Sequence, residues 1–164
     1  MGSSEFINDG ERYCLWVPPN ESAKAMRLPQ LRFRLDQVSG FRSSPKRNDQ
    51  ATIDLAAKPW QFKQPAYKPT ESIIVPRVSS VRRAYMPMGY LDPETVISDA
   101  AFAVYDAAPW VFAVLTSSMH MTWTRAVGGR MKTDYRYSNT IVYNNFPVPS
   151  LTVAIRGSSD LSVG

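Results

Sequence analysis

Two short segments carry side chains suited to recognition chemistry. The first is Pro76-Arg77-Val78-Ser79-Ser80-Val81-Arg82-Arg83, which sets three arginines and two serines between apolar stretches. Guanidinium forks and hydroxyls are common ligands of phosphate oxygens, and such contacts seat a protein on a nucleic-acid backbone. The alternative is a solvated loop with surface charge. The second is Gly129-Arg130-Met131-Lys132-Thr133-Asp134-Tyr135-Arg136-Tyr137-Ser138. If it is extended, Lys132, Asp134 and Arg136 project to one face at steps of about 7 Å, because strand side chains alternate. A row of donor, acceptor and donor suits base edges. Lysine can donate to guanine O6 and N7 while aspartate accepts from the cytosine amino group, so the two together can read one G·C pair. The alternative is a salt-bridged exposed strand.

No catalytic constellation accompanies them. His120 is the sole histidine, set between Met119 and Met121 in a helical stretch, and it reads as a packing or hydrogen-bonding residue. With Cys14 as the sole cysteine, a zinc site of usual composition cannot be assembled. Gly128-Gly129 follows a helix instead of opening one, which makes it a stop signal and not a phosphate loop. There is no nucleophile elbow, and the carboxylates are scattered. The expectation is no catalytic residue and no metal ligand.

Composition sets wider bounds. A chain of 164 residues suits one core, and 44% hydrophobic with 12% aromatic residues excludes global disorder. The net charge of +5 favours a polyanionic partner. That charge is uneven, with thirteen basic residues against four acidic ones between positions 24 and 83, and no Lys or Arg from 84 to 124. One cysteine allows no internal disulfide, which fits a reducing cytoplasm. The first residues form no signal peptide, and no apolar run approaches the roughly 18 residues of a membrane span. A soluble, cytoplasmic protein is expected.

The elements that must position the two segments follow from periodicity and punctuation. Residues 11–17, aromatic and apolar up to Pro18-Pro19, read as a strand. Asn20 or Ser22 can cap a helix from about Glu21, and Pro29 interrupts it or opens the next one. Leu31, Leu35, Val38 and Phe41 or Arg42 mark the apolar face of that next helix. Residues 43–49 are a polar connection, 51–58 look helical, and 59–72 form a loop pinned by Trp60, Phe62 and Tyr67. Strands are expected at 72–75, 84–91 and 100–105. Pro109 then opens one helix to about Val127, along Phe112, Leu115, Met119 and Trp123. Residues 131–137 and 140–143 can pair as strands, and the tail from 150 is a flexible end. The expected class is α+β: a small mixed or antiparallel sheet packed on one long helix, with additional N-terminal helices.

These blocks, in this order, resemble the target-recognition domain of the MmeI-like (Type IIL) restriction–modification enzymes and related adenine-specific DNA methyltransferases. The matching residues are Glu5-Phe6-Ile7-Asn8 with Glu11-Arg12-Tyr13-Cys14-Leu15-Trp16, then 76–83 with Tyr85-Met86-Pro87-Met88-Gly89. Leu115-Thr116-Ser117-Ser118-Met119-His120-Met121 with Trp123 follow, and then 129–138 with Tyr143-Asn144-Asn145-Phe146-Pro147. The resemblance spans residues 1–149. It implies a DNA-reading domain fused to a methyltransferase that moves a methyl group from S-adenosylmethionine to adenine N6, often with a nuclease domain as well. The catalytic Asn/Asp-Pro-Pro-Tyr/Phe signature is absent from these 164 residues, so no cofactor is expected on this stretch.

By the same resemblance, Lys132 and Asp134 match the pair associated with guanine just 3′ of the methylated adenine. Relatives with Glu and Arg there read cytosine. Arg136 with Ala100 matches a second pair, associated with the base just 5′ of that adenine, where Ala100 gives room for Arg136. Arg77, Ser79, Ser80, Arg82, Arg83 and Arg130 are expected on phosphates. The competing reading is a protein-interaction or structural module whose basic stretch is only a solvated face.

Overall fold

The computed structural model describes residues 1–46, 48–63 and 66–148. In chain order these form α1 (Ser3–Ile7), α2 (Ser22–Arg27), α3 (Pro29–Arg42), α4 (Gln50–Asp54), β1 (Ser72–Pro76), β2 (Val78–Ser79), β3 (Gly89–Leu91), β4 (Ala101–Tyr105), α5 (Pro109–Leu115), α6 (Ser118–Val127), β5 (Gly129–Met131) and β6 (Asp134–Arg136). The class is α+β, with two three-stranded antiparallel sheets in the orders β3-β1-β4 and β2-β6-β5. The chain divides into two compact units, one of residues 1–12 with 67 onward, the other of residues 13–66.

In the first unit β1 is the central strand and is buried from end to end. Its run Ser-Ile-Ile-Val-Pro fits a strand covered on both faces, where apolar residues follow one another without alternation. Ile73 and Val75 enter a core with Met86, Leu115, Met121, Tyr135, Tyr137 and Val142. Burying each such aliphatic side chain contributes about 1.5–3 kcal/mol. Ile74 faces the other way and pairs with Gly89. The Phe6 ring of α1 rests there, and a Cβ on Gly89 would come within 2.7 Å of it.

One long helix from Pro109 was expected, but two form, because Thr116 and Ser117 cap both sides of a break. Thr116 Oγ1 donates to the Phe112 carbonyl at 2.8 Å and Ser117 Oγ to that of Val114 at 2.7 Å, which closes α5. Ser117 Oγ then accepts the His120 N–H at 3.1 Å and so caps α6. Short hydroxyl side chains compete with the helical ladder in this way, and the 3.6-residue apolar period continues through the break undisturbed.

Three strand expectations also change. Residues 10–18 form no ladder; the chain passes here from one unit to the other, and the aromatic residues find partners without strand pairing. The expected strand at 84–91 shrinks to Gly89–Leu91. Residues 139–143 close a π turn instead of pairing, with Trp123 Nε1 donating to the Val142 carbonyl at 3.0 Å. Gly128 ends α6 as expected, though in extended geometry with φ −67° and not in the left-handed region. The tail from 150 lies outside the described residues.

The second unit is helical. Ala25 and Leu35 are buried, and of the two alternatives for the last position on the apolar face of α3, Phe41 or Arg42, Phe41 is 61% exposed. Arg42 turns inward in its place. Its guanidinium donates to the carbonyls of Leu55 at 3.0 Å, Lys58 at 3.1 Å and Gln61 at 2.8 Å, adding a second bond to the Leu55 and Lys58 carbonyls, which already accept the N–H groups of Lys58 and Gln61. Ser39 Oγ adds a bond to the Ala56 carbonyl at 2.8 Å. Trp16 stacks on Phe62 with ring centroids 5.1 Å apart.

Candidate functional site

The second sequence segment is a hairpin and not one extended strand. Met131 pairs with Asp134, which leaves Lys132 and Thr133 as a two-residue turn. Lys132 has φ 57°. Left-handed backbone at the first of two turn residues suits the right-handed twist of a hairpin, although glycine is the usual occupant. The expected single row is therefore corrected. Asp134 and Arg136 share a face of β6, while Lys132 stands at the exposed tip, out of strand alternation. A two-residue turn reverses the chain, and neither composition nor spacing in 129–138 announced one.

Register decides the remaining orientations. Arg136 pairs with both Val78 and Gly129, so these three share one face of the sheet. Tyr135 pairs with Ser79 and Arg130 on the opposite face, where Tyr135 and Ser79 are buried. Arg130 remains exposed, and its guanidinium lies 4.1 Å from the Tyr135 ring centre. Arg77 stands between β1 and β2 with its guanidinium 4.4 Å from the centre of Phe102. Ring stacking of this kind holds a guanidinium in place without consuming its hydrogen-bond donors.

The segment 77–83 lies against the hairpin. The Val81 N–H donates to Asp134 Oδ1 at 3.4 Å, and the Tyr137 N–H to the Arg77 carbonyl at 2.8 Å. Arg82 is exposed and Arg83 half-buried, and Ser80 Oγ accepts the Arg82 N–H at 3.3 Å. Ser79 is only 3% exposed, and its hydroxyl has no partner among the described residues. It points into the sheet's covered side, away from any external ligand. The side chains of Lys132, Arg136, Arg82 and Arg83 make no hydrogen bond or ion pair among the described residues and are available to a partner.

Ala100 is exposed and lies one residue beyond the last β1–β4 pair, Pro76 with Ala101. Continuing that register brings it level with Arg77, whose carbonyl is bonded to the residue after Arg136. Arg77 thus stands between the Ala100 end of β4 and the Tyr137 end of β6. Ser3 ties Ala100 to Arg77, since its hydroxyl bonds to the Ala100 carbonyl and accepts the Arg77 N–H at 3.4 Å. Sequence reasoning missed Ser3, Phe102 and Tyr135. Ser3 and Phe102 act through partners far along the chain, and Tyr135 meets Arg130 only because the hairpin folds back, so no local pattern marks them.

Beneath the hairpin, His120 is fully buried, with Nε2 2.9 Å from the Tyr137 hydroxyl and Phe146 edge-on at 4.6 Å. Burial pushes its pKa down to about 4 and raises that of Tyr137. The imidazole is neutral at pH 7, as a packed, hydrogen-bonded residue should be. Among the described residues no cluster of His, Cys, Asp or Glu could hold a metal ion, and no helix is long and apolar enough to cross a membrane.

Fold and site define a recognition module: an α+β scaffold that presents a cation-tipped hairpin, a basic loop bonded to it and a junction of further polar groups. The model of the MmeI target recognition domain matches residues 1–150, and the chain belongs to that family. It is 43% identical over 152 residues to DNA methyltransferase A of Bacillus subtilis (strain 168), covering 93% of this chain and 17% of that protein. It also superimposes on the structure of the Type IIL restriction-modification enzyme MmeI in complex with DNA, with TM-score 0.88 and 32% identity, covering 98% of this chain and 22% of that one. The chain spans less than a quarter of the length of either relative.

Proposed function

We propose that residues 1–149 read duplex DNA for a fused, cytoplasmic N6-adenine methyltransferase, with Lys132 and Asp134 reading a G·C pair beside the target adenine. The observation that carries this reading is the hairpin. A free lysine at an exposed tip and a carboxylate two residues on supply a donor and an acceptor on an element narrow enough for the major groove, which admits a two-stranded ribbon. Arg136 reads the neighbouring pair, and the small side chain of Ala100 leaves it room. Arg82 and Arg83, with Ser80, grip phosphates, and Arg77 and Arg130 do so from their aromatic rests. Ser79 is left out of that set because its hydroxyl is turned inward. S-adenosylmethionine, which supplies the methyl group, belongs to the fused domain.

Exchanging Lys132→Glu together with Asp134→Arg in the full-length gene tests the reading. Methylation sites mapped in a host expressing the variant should carry C where the parent's carry G. An unchanged map would overturn the base-reading role. Arg82→Ala should weaken binding to all sequences alike and lower the salt slope by about one unit; a change at one base position alone would move Arg82 from the gripping set to the reading set.

A further inference from the structure

The charge of the chain is divided between its two units in a way the hairpin does not explain. Residues 13–66 contain nine Lys and Arg against four Asp and Glu, which equals the formal +5 of the whole chain. The remainder, which holds every residue assigned above to reading or gripping, has ten of each sign and is neutral. A unit that reads base edges while carrying no net charge gains little from the long-range attraction that dominates association with DNA.

Within the helical unit some cations are already occupied. Lys24 pairs with Glu21, Arg32 with Asp36 and Lys63 with Asp49, and Arg42 is taken up by backbone carbonyls. Arg27, Arg34, Lys46 and Lys58 are exposed, and their side chains make no hydrogen bond or ion pair among the described residues. Two of them are placed together. Arg34 lines one groove and Lys58 an adjoining one, and the two grooves share Trp60, Gln61 and Phe62 as a wall. Unpaired cations beside an aromatic wall complement a sugar–phosphate backbone, with phosphates on the charges and the apolar sugar faces against the rings.

We infer that the helical unit, residues 13–66, is a second DNA contact that grips the backbone through Arg34 and Lys58, with Arg27, and adds to the sequence-independent part of the affinity. The inference rests on the reading of duplex DNA proposed above and adds a division of labour to it. The neutral unit discriminates and grips locally, and the basic unit adds the net attraction.

The test is a salt series of duplex binding by the intact chain, followed by fluorescence anisotropy. The variant is the triple substitution Arg27→Gln, Arg34→Gln, Lys58→Gln, with its fold checked by circular dichroism. The slope of log affinity against log salt should fall by about two to three units, at roughly 0.9 for each phosphate that is no longer neutralised, while the preference for the cognate base pair is unchanged. An unchanged slope would overturn the inference and leave the hairpin reading intact. A salt-dependent wild type with no base preference would overturn the hairpin reading and leave this one, and no duplex binding at low salt would overturn both. Protection of Lys58 from amine acetylation by bound duplex is expected independently of any variant, and an unprotected Lys58 would count against the contact.

Discussion

His120 and Tyr137, seventeen residues apart, face each other in the core with Nε2 and hydroxyl oxygen 2.9 Å apart. The bond fastens α6 to the residue that follows Arg136. Tyr137 is held again at its backbone, where its N–H reaches the Arg77 carbonyl. The sheet that carries the hairpin is thereby anchored at its buried end, and its exposed end is left for a ligand. Tyr137→Phe keeps the ring and deletes the bond. Because His120 Nδ1 already lacks a partner among the described residues, the variant strands the whole imidazole. Urea denaturation should show a loss of about 1–3 kcal/mol, and an unchanged midpoint would contradict the role given to this bond.

The same histidine sets a pH dependence. Its folded pKa, about 4, lies below the ordinary 6.5 because burial disfavours the charged ring. Between those values the unfolded chain binds a proton that the folded chain does not, so stability rises with pH across this window. It is complete above about 6.5 and falls as the pH drops toward 4. Glu5 and Asp49, with pKa values lowered by hydrogen bonds, lose their contributions at the acid end. Comparing urea midpoints of wild type and His120→Gln from about pH 7 to about pH 4 separates the two effects. The variant should have the flatter profile, and parallel profiles would exclude His120 as the source.

Lys132 sits at φ 57°, where a side chain costs about 1–2 kcal/mol relative to ordinary backbone. Lys132→Gly relieves that cost while removing the charge. The thermal midpoint should hold or rise by a few degrees, and discrimination at the adjacent base pair should fall. A marked fall in midpoint would mean that the lysine supports the turn itself.

Gly128 offers a steric test of the helix–hairpin junction. A Cβ there would lie 2.3 Å from the Thr124 carbonyl oxygen, inside the last turn of α6. Its φ of −67° is open to any residue, so the obstacle is contact and not backbone strain. Gly128→Ala should destabilise by about 1–3 kcal/mol, measured by denaturant midpoint, and should weaken DNA binding by displacing β5. A neutral result would show that the cap yields without cost.

Much of this was legible in the residues. Pro29 and Pro109 do open helices, the unbroken run Ser72-Ile73-Ile74-Val75 is a buried strand, and residues 101–105 pair with it. Proline geometry and continuous apolar burial are local properties, so one sequence suffices to read them. The family was legible for a different reason: several blocks such as 76–83 and 129–138 recur in fixed order. What the chain alone did not reveal were choices made by partners far away. Residues 11–17 have strand-like composition yet find no strand beside them. Thr116 and Ser117 break an intact helical period by satisfying the backbone themselves, and Lys132 leaves the row of Asp134 and Arg136 because β5 folds back on β6. Ser79 and Arg77 are neighbours of the same loop in sequence, but pairing with Tyr135 sends the serine hydroxyl inward while Phe102 holds the guanidinium at the surface. Side-chain type sets what a residue can bind. Only strand register and packing, which depend on residues dozens of positions apart, determine which way it faces.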